Sequence, residues 1–461
     1  MPAVNLMQSV NPATGEKLAE YPAHSPDETG DRLTRCREAF RAWSRRPVDE
    51  RAPVLARAGA LLRKRRDELA RLATLEMGKT IVAAEAEVEK CAWVCDHYAQ
   101  HAAGYLAEEK VASEASETYV RFDPLGVLLA IMPWNFPYWQ AFRAAVPALV
   151  AGNTVALKHA SNVTGCALAM ERLWRDAGLL EDAFTVLFVQ GAEASALAAH
   201  TAVAAVTLTG SEPAGASVAA IAGRALKKVV LELGGSDPFI VLDSDDLAKT
   251  VKDAVAGRMG NAGQACTAAK RMIVVGDLYD EFTDQFTAAM AALRPGDPTD
   301  PASDLGPLSS EGAAERLMGQ ISDAVDKGAT LRTGGKRVDR PGAFVEPTVL
   351  TDVTPQMRAY HEELFGPAAV IYRVADASQA VELANSSPFG LGGVVYSADP
   401  GRAQEVADLL ETGMVWINSP QGSMADLPFG GTKRSGVGRE LGPYGIDEFV
   451  NKKLIYTPAP R

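Results

Sequence analysis

Val127-Leu128-Leu129-Ala130-Ile131, running into Met132-Pro133-Trp134-Asn135-Phe136-Pro137, decides how this chain is read. A short apolar run set off by Gly126 and stopped by proline fits a strand buried on both faces. Four more follow: Thr154–Leu157, Thr185–Val189, Ala205–Leu208 and Val229–Leu231. Helical stretches separate them, which is the pattern of a parallel sheet covered on both sides. A second series begins near Phe239 and continues through Ile273–Val275, Ala369–Tyr372, Val394–Tyr396 and Met414–Ile417. The expected class is α/β, with two doubly wound units in succession.

Upstream, the first hundred residues read as mostly helical. Asn11-Pro12-Ala13-Thr14-Gly15 is a turn between two short extended runs. Ser25-Pro26-Asp27-Glu28 has capping-box spacing with proline at the first helical position. Leu33, Cys36, Phe40 and Trp43 then recur at helical intervals. Two further helices are predicted, roughly 49–77 and 81–106. Thr118-Tyr119-Val120-Arg121-Phe122 alternates like a strand with one wet face, and Lys452–Tyr456 is also strand-like. These two pair with each other or with a second subunit.

A chain of 461 residues exceeds one core. Its 47% hydrophobic and 23% charged residues are those of an ordinary globular protein. A net charge of -12 argues against nucleic acid or an anionic membrane as partner. Five scattered cysteines are no disulfide framework and point to a reducing compartment. Cys91, Cys95, His97 and His101 do not share one helical face, so no metal is expected there. The opening Met-Pro-Ala-Val-Asn-Leu has no basic start and no long apolar run, and no stretch of about 18 apolar residues occurs. A cytoplasmic protein acting on a small molecule is expected.

Chemistry gathers near the junction of the two units. Cys266 follows a Gly-Asn-Ala-Gly turn, and Glu232 lies in Leu-Glu-Leu-Gly-Gly. A nucleophile and a carboxylate, each beside glycine turns, suggest covalent catalysis with water as second reactant. Thr209-Gly210-Ser211-Glu212-Pro213-Ala214-Gly215 follows a strand and would let backbone N–H groups approach a phosphate. It lacks the usual Gly-x-Gly-x-x-Gly spacing and reads equally as a plain strand-to-helix turn. Lys158 closes another strand and is followed by His159-Ala160-Ser161 with no carboxylate, so a 2′-phosphate would not be repelled. Asn135, between two prolines, suits either an oxyanion hole or a turn cap.

Seven stretches occur together: Pro-Trp-Asn-Phe-Pro (133–137), Thr-Gly-Ser (209–211), Leu-Glu-Leu-Gly-Gly (231–235), Gly-Gln-Ala-Cys (263–266), Glu-Leu-Phe-Gly-Pro (363–367), Pro-Phe-Gly-Gly (428–431) and Lys-Arg-Ser-Gly-Val-Gly-Arg-Glu (433–440). In this order the chain resembles the aldehyde dehydrogenase superfamily. The resemblance implies that fold: a Rossmann-like cofactor domain (1–106 and 125–234), a catalytic domain (235–440) and a small β oligomerisation arm (107–124 and 441–461). It implies Cys266 as nucleophile, Glu232 as base for water, and Asn135 with the Cys266 N–H as oxyanion hole. Trp134, Lys158, Ser161, Gly210, Ser211, Gly215, Leu233, Glu363 and Phe365 would hold NADP or NAD, with Ser161 favouring NADP. The chain also resembles the succinate-semialdehyde branch, in which Arg143 and Ser423 would meet a distal carboxylate. Gly260 stands where some members of that branch carry a second arginine, which leaves other aldehydes open. A homodimer or homotetramer is implied. An acylating enzyme using coenzyme A is the rival reading, and Glu232 argues for water instead.

Overall fold

The computed structural model describes residues 6–459. Residues 1–5, which enter the reading against a leader peptide, and 460–461 of the expected arm lie outside the described residues. From one edge, the first sheet runs Gly436–Val437, Lys228–Glu232, Val203–Thr209, Val127–Met132, Thr154–His159 and Phe184–Val186. All neighbours are parallel except the Gly436–Val437 edge. Leu128, Ala130 and Met132 face a core shared with the N-terminal helices, while Val127 and Leu129 face Leu33 and Cys36 on the other side. The near-continuous apolar strands thus follow from burial on both faces.

The strands after Val127–Met132 are added on one side of it, and Val203–Thr209 is added on the other. Such a reversal opens a crevice beyond the carboxyl ends of the two central strands. The loops leaving those ends are 133–137 and 209–211.

The second sheet runs Thr330–Thr333, Thr348–Thr351, Ala368–Val374, Arg271–Val275, Pro238–Val241, Gly392–Tyr396 and Met414–Ile417. Only Thr330–Thr333 is antiparallel. Ile240, Ile273 and Val370 pack on one face; Phe239, Met272 and Ile371 pack on the other. Both doubly wound units expected from the strand pattern are therefore present.

Several boundaries differ from the sequence reading. The 49–77 helix is two, Val48–Lys64 and Arg66–Met77, meeting at Arg65. Arg63 and Lys64 end the first and Asp67 and Glu68 begin the second, as opposed helix dipoles favour. The strand predicted to Val189 stops at Val186, because the Phe188 backbone bonds to His24 instead. The edge strand Thr330–Thr333 is polar and largely exposed, so no alternation announced it.

Glu117–Pro124 pairs with Val450–Thr457 along eight residues, and Glu109–Lys110 adds a third strand. The two strand-like segments at 118–122 and 452–456 thus pair with each other. The chain re-enters the first sheet at Gly436, before residue 440. Cys91 and Cys95 are buried in the helical core, and His97 bonds to Tyr105. No helix among the described residues is long and apolar enough to cross a membrane.

Candidate active site

The helix Leu247–Met259 gives way to three consecutive left-handed residues: Asn261 (φ 56°), Ala262 (φ 53°) and Gly263 (φ 73°). That conformation costs a residue with a side chain about 1–2 kcal/mol, so Asn261 and Ala262 must be held. At Gly263 a Cβ would collide with the Gly366 backbone, which only glycine avoids.

The restraint comes from buried donors aimed at carbonyls. Arg258 donates to Gly263 O (3.3 Å), Leu364 O (2.8 Å) and Ala368 O (2.7 Å). Asn261 Nδ2 donates to Asn135 O at 2.8 Å. Gln264 O accepts from Asn135 Nδ2 at 3.0 Å, and Gln264 Oε1 accepts from Ser309 N–H at 2.9 Å. Lys270 Nζ donates to Ala265 O (2.9 Å) and Cys266 O (2.6 Å) and pairs with Glu363 at 2.9 Å. Four successive carbonyls, 263 to 266, are thus tied back. The Cys266 N–H finds no acceptor among the described residues. Asn135 Nδ2 keeps a second hydrogen beyond the one given to Gln264. A free backbone amide and a fixed side-chain amide beside one thiol can bind an oxyanion.

Two cavities adjoin at this thiol. One, about 260 Å³, is lined by Pro133, Trp134, Asn135, Thr209, Gly210, Ser211, Glu232, Leu233, Gly234, Glu363, Phe365, Gln140 and Cys266. It occupies the crevice between the central strands of the first sheet. Trp134 and Phe365 meet edge to face there, with ring centres 5.7 Å apart. The other, about 400 Å³, shares Gln140 and Cys266 and extends to Lys90, Phe136, Trp139, Arg143, Gly260, Ser423 and Phe429.

Charge in the site is strongly shaped by burial. Loss of solvent pushes the Cys266 thiol up to about 11, with Arg143 and Lys270 pulling it back. The thiol therefore needs a proton acceptor near neutral pH. Glu232 is buried, and neither carboxylate oxygen has a hydrogen-bond partner. Burial, then the Glu440 charge, raises its pKa well above the usual carboxylate range, against Arg143 and Arg439. A buried carboxyl with unused lone pairs at a cavity wall is a base in waiting.

The loop carrying Asn135 is held from behind. Glu87, in a buried ion pair with Lys79, accepts the backbone N–H groups of Tyr138 (2.8 Å) and Trp139 (2.9 Å). Burial lowers His159 to about 4. It is neutral, and its Nε2 donates to Pro137 O at 2.7 Å.

Of the residues singled out in the sequence, Cys266, Glu232, Asn135, Trp134, Gly210, Ser211, Leu233, Glu363 and Phe365 line the smaller cavity. Arg143 and Ser423 line the larger one. Lys158 and Ser161 lie outside both linings, at and just beyond the carboxyl end of Thr154–His159. Gly215 lies under Leu233, where a Cβ would stand 2.6 Å from Leu233 Cδ2. Arg143 is ion-paired with Glu440 and stacked 4.4 Å from the Phe429 ring centre, a partnership no local pattern revealed. Sequence reading passed over Arg258, Gln264, Lys270 and Lys90. None of the four carries a local signal of its own; Lys270, four residues past the cysteine, is followed directly by Arg271.

The residues fit a nicotinamide dinucleotide. The crevice lies at the switch point of the first sheet. Ser211 opens the 13-residue helix Glu212–Arg224, whose amino end attracts phosphate. Trp134 and Phe365 offer ring faces near the thiol.

The model of the aldehyde dehydrogenase family matches residues 2–455. A succinate-semialdehyde dehydrogenase [NADP(+)] of Deinococcus radiodurans is 55% identical over 97% of this chain and 94% of its own. One from Mycobacterium bovis is 48% identical over 97% of this chain and 99% of its own. The crystal structure of succinic semialdehyde dehydrogenase from Streptococcus pyogenes with NADP+ superposes with a TM-score of 0.96 at 40% identity, covering 98% of this chain and all of that one. By motif order, by architecture and by these likenesses, the chain belongs to the aldehyde dehydrogenase family.

Proposed function

We propose that this protein oxidises succinate semialdehyde to succinate, with NADP+ as the electron acceptor. The observation that carries the reading is the meeting of two cavities at Cys266, with Glu232 unpartnered and Asn135 fixed beside it. The names borne by relatives at 48–55% identity support the substrate and cofactor.

Aldehyde enters by the larger cavity, and the Cys266 sulfur bonds to its carbonyl carbon. The Cys266 proton passes to water in the larger cavity as that bond forms. Asn135 Nδ2 and the Cys266 N–H receive the developing oxyanion. The smaller cavity would hold a nicotinamide dinucleotide, which would supply the acceptor for the hydride lost as the thiohemiacetal becomes a thioester. Glu232 then takes a proton from water, hydroxide adds to the thioester carbon, and the C–S bond breaks. Cys266 is regenerated and the acid leaves. Trp134, Leu233, Phe365 and Glu363 would frame the nicotinamide end, Gly210, Ser211 and Gly215 the phosphates, and Lys158 and Ser161 the adenosine ribose. Ser423 and Arg143 stand on the side of the distal carboxylate.

A panel of succinate semialdehyde, butanal and benzaldehyde, each with NADP+ and NAD+, tests the proposal. The pair of succinate semialdehyde and NADP+ should lead in kcat/KM by about tenfold or more. Equal rates with butanal would remove the substrate assignment; a coenzyme A requirement would favour the acylating alternative.

Ser161 is exposed, and Lys158 has no carboxylate partner among the described residues. Ser161→Glu would set an acid against a 2′-phosphate. The NADP-to-NAD ratio of kcat/KM should fall by about 10- to 100-fold, as like charges at contact repel. A ratio that rose would refute the role of this position.

A further inference from the structure

Among the described residues, the larger cavity carries one positive charge with no carboxylate partner. Glu87 on its wall belongs to Lys79 and to two backbone N–H groups. Arg143 belongs to Glu440, which also accepts from the Thr207 hydroxyl, and lies against Phe429. Lys90 remains. It projects from the helix Ile81–Tyr105, and its Nζ donates to Ser423 Oγ at 2.7 Å. The ammonium lies 4.4 Å from the centre of the Trp139 ring. No carboxylate lies within ion-pair reach of it among the described residues.

A hydroxyl and an indole face hold an ammonium in place but leave its charge unmatched. Surface lysines tolerate that because water solvates them. Lys90 is half-buried, and burial together with Arg143 lowers it to about 8. An arrangement of this kind is stabilised by an anion arriving in the cavity. Lys90 and Cys266 line the same space and are close enough for their charges to interact. At Gly260, on the lining of the same cavity, the wall is open: a Cβ there would meet nothing within 4 Å.

We propose that the Lys90 ammonium, with Ser423 Oγ beside it, receives the distal carboxylate of the substrate and sets the preference for a carboxylate-bearing aldehyde. The inference deepens the substrate reading above and rests on it. It assigns the main electrostatic contact to Lys90 rather than to Arg143, whose charge Glu440 already answers. Ser423 orients the ammonium and offers its own O–H to the second carboxylate oxygen.

The test compares kcat/KM for succinate semialdehyde with that for butanal, which has the same number of carbons and no carboxylate. Both substrates are run on one preparation, so the ratio is independent of the fraction folded. In Lys90→Met the ratio should fall about 30-fold or more, mostly through KM, the scale of a charge-assisted hydrogen bond. Lys90→Arg keeps the charge and should retain most of the ratio. An unchanged ratio in Lys90→Met, or an equal loss in both variants, overturns the proposal. A wild-type ratio near one would instead remove the substrate reading, and the proposal with it.

Discussion

Cys266→Ala should lower aldehyde oxidation by about 10⁴-fold or more, since no covalent intermediate can form without a nucleophile. No neighbour can take its place. Thr267 offers only a hydroxyl, and Cys36, Cys91, Cys95 and Cys166 are buried in cores with thiols pushed upward by loss of solvent. The backbone around position 266 is held by Arg258, Asn135 and Lys270 through bonds to its carbonyl oxygens, none of which involves the sulfur. Fold and dinucleotide affinity should therefore survive. Titration of NADPH fluorescence would check the affinity, and a steady-state assay the loss. Activity within tenfold of wild type would end the covalent scheme.

Glu232→Gln should separate the two halves of the reaction. Glutamine matches the shape of the carboxyl but cannot accept a proton from water. Steady-state turnover should fall by about 10²- to 10³-fold, the usual worth of a general base. One equivalent of reduced cofactor per site should still appear rapidly, because thioester formation precedes the step that needs the base. Neither Glu232 oxygen has a hydrogen-bond partner to lose, so no neighbouring donor loses its acceptor. The pH profile adds a second check. Burial raises the Glu232 pKa, so its basic form gains population as pH rises. Wild-type turnover should climb with pH above the usual carboxylate range, and the variant should lose that climb. A variant with unchanged turnover would mean that another group activates water.

The strands of both sheets were legible because burial on two faces leaves an unmistakable apolar run, as at Val127–Ile131. Cys266, Glu232 and Asn135 could be singled out because each lies in or beside a glycine- or proline-marked turn, and the roles proposed for them came from the family resemblance that the order of seven such stretches carries. Arg258 and Lys270 were not, since their task is to hold carbonyls, and a carbonyl has no residue type to betray it. Arg143 and Glu440 meet across most of the chain, and Lys90 and Ser423 do the same. The second pair becomes visible only once the helix Ile81–Tyr105 lies beside the loop that precedes Pro428, and the first once the helix Trp139–Ala151 lies beside Glu440. The division at Arg65 was written in the charges but overridden by a continuous helical periodicity.

The adjoining cavities of the site share only Gln140 and Cys266 among their linings. Apart from the stretch 133–143 and the Cys266 turn, which wall both, they draw on different segments: 209–211, 232–234 and 363–365 for the smaller, 83–90, 256–261 and 420–429 for the larger. A change in one chamber therefore leaves the other's shape alone, and the two ligands can be retuned separately. A lineage, or an engineer, can trade one feedstock for another at Lys90, Gly260 and Ser423 while the redox currency handled next door stays the same.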